Sequence, residues 1–129
     1  MSELFNNGGP FSTGIADLDA EHAQLHMETK RLAVMLAHAE DTAIILRELA
    51  VFIDLMAAHF RHEESFFNRI EPARAKAHHK EHEMLLLSLK LFANGVKEQR
   101  EEMDNWNDFV SLEDVLLKHI ILFDLELRA

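Results

Sequence analysis

Apolar residues recur along the chain at intervals of three and four, the period of an amphipathic helix, and no segment alternates with the two-residue period of a strand. Leu18, Leu25, Leu32 and Met35 mark the inward face of a first helix over about residues 17–38, with Asp17 and Asp19 in its first turn, where the helix dipole favours acid. Asp41 is a good N-cap for a second helix over about residues 42–70, and Pro72 stops it. A third helix is predicted from about Ala73 through Leu91, with Gly95 as a break. Residues 97–105 are charged, hold little to bury, and read as a connector or frayed end. The fourth helix runs to the chain end and begins at either Asn105 or Ser111, the latter offering a Ser-x-x-Asp cap with Asp114. Leu85, Leu86, Leu87 and Leu89 read as ordinary core. At the start, Asn6-Asn7-Gly8-Gly9-Pro10 clusters breakers, so residues 1–12 are expected to form an irregular arm. Four helices joined by short connections favour an all-α, up-down-up-down four-helix bundle.

Length and composition narrow the function. A chain of 129 residues is one domain with a single core. Asp and Glu outnumber Lys and Arg by 23 to 13, giving a net charge of −10 that repels nucleic-acid phosphate and anionic membrane surfaces alike. No apolar run reaches the ~20 residues that span a bilayer, and the first ten residues lack the basic start and apolar stretch of a signal peptide. The absence of Cys excludes disulfides and fits a reducing cytoplasm, the expected location.

Nine His are the compositional excess, and their placement carries the chemistry. The clusters are Asp19-x-x-His22, His59-x-x-x-Glu63, His78-x-x-x-His82 and His119-x-x-x-x-Asp124, one per predicted helix. Side chains four apart on a helix point the same way, about 6 Å apart along its axis. Five imidazoles and two carboxylates on four amphipathic segments can meet only in a shared core, where they would hold a pair of metal ions. Nitrogen and oxygen donors without thiolate suit iron, manganese or zinc and argue against an iron–sulfur cluster. Asp124 is rotated well off the face of His119; Glu126 is better aligned but about 10.5 Å further along the axis. Spacing leaves that choice open. His26, His38, His62 and His79 are expected to face solvent or to support the ligands from behind.

The runs Gly14-Ile15-x-x-Leu18-Asp19-x-x-His22, His59-Phe60-x-x-Glu63-Glu64, His78-x-x-x-His82 and His119-Ile120-x-x-x-Asp124 resemble the signature of the hemerythrin family, specifically its bacterial hemerythrin-like domains. The resemblance covers residues 11–124. It implies two iron ions with a bridging oxo or hydroxo group, His78, His82 and His119 on one, His22 and His59 on the other. It also implies that Glu63 and Asp124 bridge them, selecting Asp124 over Glu126. One coordination position then stays open on the iron with two His, and in the family dioxygen binds there end-on and reversibly. Leu25, Phe60, Leu116 and Ile120 flank the ligand positions and are candidates for an apolar wall around it.

Two positions depart from the family pattern. Leu127 stands where many relatives have Tyr, and Phe11 where many have Trp, so a hydrogen-bonding partner near the bridge is missing or supplied otherwise. The chain stops five residues after Asp124, which reads as the N-terminal module of a longer signalling protein. The resemblance implies an output domain such as cyclic-di-GMP synthesis or a chemoreceptor. The leading expectation is therefore an oxygen or redox sensor that is not itself an enzyme. An oxygen carrier or store, and a di-iron oxidase, peroxidase or iron-repair protein, are the alternatives.

Overall fold

The computed structural model describes residues 15–38, 41–98 and 105–128, with side chains described at 15–38, 41–98 and 107–119. Among them are four α-helices and no strand: α1 Ala16–Ala37, α2 Thr42–Ile70, α3 Pro72–Glu98 and α4 Asn105–Arg128. The predicted arm lies outside the described residues.

The helix ends follow from local chemistry. The Asp41 side chain accepts a hydrogen bond from the Ala43 N–H at 2.9 Å, capping α2 as its sequence position predicts. A single residue, Glu71, turns the chain from α2 into α3. Its N–H donates to the Phe67 carbonyl, and its own carbonyl accepts from the N–H groups of Arg74 and Ala75. Pro72 occupies the first position of α3, where its missing N–H has no intrahelical partner to lose.

One predicted boundary is corrected and one open choice is decided. α3 does not break at Gly95 but continues to Glu98, because Phe92 and Val96 keep its apolar face on the core and Gly95 is itself buried there. α4 starts at Asn105; Ser111 lies inside it and donates to the Asn107 carbonyl at 3.1 Å. In the leucine run, Leu85 and Leu89 are buried whereas Leu87 is 56% exposed, so that run is only partly core.

Each helix packs on its neighbours in chain order, and α4 closes on α1. The larger core cluster is aromatic at its centre, with Phe52 and Phe92 both against Phe109. Burying each such ring contributes about 2–3 kcal/mol. A smaller cluster joins Leu18, Phe67 and Ala75. Between the two clusters lies a buried polar layer. Leu18 is one turn before His22 and Leu25 one turn after it; Ala75 precedes His78, and Leu85 follows His82. The fold thus seals a set of polar side chains between two apolar floors. Among the described residues, no helix is long and apolar enough to cross a membrane.

Candidate metal centre

Among the described residues, six side chains meet in the polar layer: His22 and His59 with Glu63 from α1 and α2, His78 and His82 from α3, and His119 from α4. None is more than 5% exposed. They fall into two groups that could each hold a metal ion, His78–His82–His119 and His22–His59–Glu63, with the ligand atoms of each within 4.8 Å of one another. Glu63 faces both. Its Oε2 lies 3.4 Å from Nε2 of His22 and 3.4 Å from Nε2 of His59. Its Oε1 lies 3.2 Å from Nε2 of His82 and 3.5 Å from Nε2 of His119.

The outer nitrogens of three of these imidazoles are held by carboxylates, each from the preceding helix. Nδ1 of His59 donates to Glu21 on α1 at 2.7 Å, Nδ1 of His82 to Glu64 on α2 at 2.7 Å, and Nδ1 of His119 to Glu81 on α3 at 2.9 Å. An ionised carboxylate only accepts, so Nδ1 carries the proton in each ring and Nε2 is turned inward. This is how metal-binding imidazoles are oriented: the carboxylate fixes the tautomer and makes the inward nitrogen more basic.

The charges favour a cation at the centre. Burial pushes the Glu63 carboxyl up, but the imidazoles of His119, His22, His59 and His82 around it hold it well below the usual carboxylate range. Burial pushes His59 down, yet its hydrogen bond to Glu21 and the charge of Glu63 beside it outweigh that and lift it to about 9. His119 is raised in the same way, against burial, by Glu63 and Glu81. His22 is lowered, with burial dominating over its contact with Glu63. Two inward atoms, His59 Nε2 and Glu63 Oε1, are buried without a hydrogen bond of good geometry. An anionic carboxylate ringed by inward imidazole nitrogens is the donor chemistry a hard or borderline metal ion takes.

Aromatic rings brace the ligands. Phe60 stacks on His82 with centroids 4.0 Å apart and planes 3° from parallel, and meets His119 edge-on at 5.6 Å. Phe67, which the sequence did not single out, stacks on His78 at 4.6 Å. Leu25 and Leu116 are buried beside the layer. The side chains of Ile120 and Asp124 lie outside the described residues.

The four remaining His separate by role. His79 is exposed, although its neighbour in sequence, His78, is buried. Nδ1 of His79 donates to the second oxygen of Glu64 at 2.6 Å, and Nδ1 of His62 to the second oxygen of Glu21 at 2.7 Å. His38 bonds the Val34 carbonyl at the end of α1, and His26 is half-buried along α1. Sequence reasoning missed Glu21 and Glu81 and gave Glu64, although quoted in the family signature, no role. Their one available signal is adjacency, since each directly precedes or follows a ligand candidate, and a step of one residue turns a side chain about 100° toward the neighbouring helix. No protein-family model, no curated protein and no solved structure matches the chain.

Proposed function

We propose that this chain is a hemerythrin-like four-helix bundle of up-down-up-down topology whose core holds two iron ions and binds dioxygen reversibly. The observation that carries the reading is Glu63, one buried carboxylate with an oxygen directed at each of two imidazole groups. That is the arrangement expected of a residue that bridges two metals. The closed order of helix contacts and the one-residue corner at Glu71 support the alternating topology.

In this reading His78, His82 and His119 hold one iron, His22 and His59 the other, and Glu63 lies between them. Asp124 is the second bridge on the strength of the resemblance. When bound, the iron pair supplies electrons and an open coordination position for dioxygen. The chain supplies the rest. Glu21, Glu64 and Glu81 orient the imidazoles, while Phe60, Leu25 and Leu116 keep water from the centre. Five imidazoles against few carboxylates favour reversible binding over oxidase chemistry, because carboxylates stabilise higher oxidation states. His119 ties α4 to the centre, which suits an oxygen or redox sensor that passes its state along that helix to a signalling output.

The test is anaerobic reduction followed by exposure to air, watched by absorbance and by iron assay. Two irons per chain and an oxygenated spectrum that reverses on removing dioxygen are expected. One zinc and no iron, after growth with iron supplied, would overturn the assignment.

A further inference from the structure

α3 carries apolar side chains on two faces. One face is buried: Leu85, Leu89, Phe92 and Val96 join the core, with His78 and His82 turned the same way. The other is formed by Met84, Leu87 and Leu91, each more than half exposed. At about 100° per residue these three lie within about 60° of one another, on the side of the helix away from Leu85 and Leu89. Elsewhere among the described residues, exposed large apolar side chains stand about two turns or more apart on their helix. That scatter is normal for a protein surface, whereas an adjoining set marks a place of contact.

The apolar row continues into charge at both ends. Lys80 lies one turn before Met84, while Asn94 and Glu98 follow Leu91 by three and seven residues, and all three are exposed. From Lys80 to Glu98 the steps are four, three, four, three and four residues, the heptad spacing of a helix that packs along another helix. The row is therefore basic at one end, apolar in the middle and acidic at the other.

That order complements itself in one direction only. Two copies running parallel would set Lys80 against Lys80 and Glu98 against Glu98. Two copies running antiparallel, about a two-fold axis level with residue 89, match along the whole row. Lys80 then meets Glu98 of the second copy, Met84 meets Asn94, and Leu87 meets Leu91, and the symmetry makes each pair twice. Beside the row Glu83 nears Lys97 of the second copy while Lys90 nears its own copy, so the flank adds little. An anionic membrane is a poor occupant of this face, because the chain carries a net charge of −10.

We propose that the outer face of α3 is a self-association surface, on which two copies of this chain pair antiparallel along residues 80–98 with Leu87 and Leu91 at the centre. The surface lies on the opposite side of α3 from His78 and His82, so the pairing does not rest on the metals proposed above. One helix against one helix buries less than the ~800 Å² per partner of a standard interface. The dimer is accordingly weak, with a dissociation constant on the order of 10–100 µM.

Sedimentation equilibrium over a range of concentrations tests the pairing, with thermal unfolding as the check on each variant's fold. The 129-residue protein is expected to show a reversible monomer–dimer equilibrium and nothing larger. Leu87→Glu should weaken it about a hundredfold or more, since each dimer would then bury two carboxylates among leucines. Leu87 is exposed in the single copy, so the melting temperature measured on dilute monomer should barely change. Val34→Glu on α1 is the matched control, equally exposed at 56%, and should leave the dimer intact. Lys80→Glu and Glu98→Lys should each weaken association about tenfold, because two repulsive pairs replace two attractive ones. The double variant restores opposite charges and should return to within about threefold of the starting protein. A monomer at every concentration up to about 1 mM, a dimer that survives Leu87→Glu, or assembly beyond two copies overturns the surface. Weakening by Leu87→Glu with no recovery in the double charge swap overturns the antiparallel pairing.

Discussion

His82 and His119 meet nitrogen to nitrogen, their Nε2 atoms 2.9 Å apart. Each ring keeps its proton on Nδ1 and donates it in a hydrogen bond to a carboxylate, His82 to Glu64 and His119 to Glu81. Two lone pairs cannot face one another at that distance unless a positive charge lies between them. Either a proton or a metal ion serves, so the two compete for the same place.

A proton and a metal compete at His59 as well, and there the competition fixes a pH dependence. In the metal-free protein His59 sits at about 9, above the ordinary 6.5. A raised His contributes stability that is fully present below pH 6.5 and is lost as pH rises through about 9. A metal on the same ring must displace the proton below pH 9. Metal uptake at pH 7 should therefore release protons, and apparent affinity should rise about tenfold per pH unit for each proton displaced, levelling near pH 9. Calorimetry in buffers of different ionisation enthalpy measures the release. Uptake with no net proton release would show that His59 is not a ligand.

The carboxylates behind the ligands should matter although they touch no metal. Glu64→Ala, Glu21→Ala and Glu81→Ala each remove the acceptor that turns one imidazole inward, and such losses cost about 10–100-fold in metal affinity. Ala is a good helix former, so the helices should survive the change. Glu83→Ala is the matched control, because Glu83 is paired with the exposed His79. Competition with a chelator gives the affinities; equal values for Glu64→Ala and Glu83→Ala would remove Glu64 from the site.

Much of this was readable beforehand, for reasons that differ by element. The bounds of α2 were legible because Asp41 and Pro72 are strong local signals that nothing overrides. The extent of α3 was not, because Gly95 looks like a break in sequence but is buried against the core, where a missing side chain allows close packing. Ligand candidates on α2 and α3 stood out because spacing by four places two donors on one face. Glu21, Glu64 and Glu81 escaped because their partners are on neighbouring helices, and no periodicity within one helix reports which helix lies beside it.

Phe60 should contribute both stability and protection. It is 2% exposed and stacked on His82, so Phe60→Ala is expected to destabilise the metal-free protein by about 3–5 kcal/mol, read from urea unfolding. In the iron-loaded protein the same change should speed loss of the oxygenated form, because the ring excludes water from the centre. Phe60→Leu keeps most of the apolar volume and should recover stability more fully than it recovers the oxygenated lifetime. Unchanged lifetimes in both variants would make Phe60 a core residue only.

Sensing requires more than binding. A ligand shifts an output only through unequal interaction with two states of the protein, so the reduced and oxidised forms must differ somewhere that can carry the difference away. His119 is the described link between α4 and the centre, held from outside by Glu81 on α3 and faced from inside by His82 and Glu63. A change of charge at the centre alters what His119 bonds to, and α4 must accommodate it along its length. Hydrogen exchange over residues 112–128 should therefore differ between the two redox states, while residues 42–50 at the far end of α2, remote in sequence from His59, should not change. Identical protection in α4, with full conversion confirmed by absorbance, would leave a carrier and not a sensor. A difference shared equally by residues 42–50 would indicate global loosening instead of a signal directed through α4.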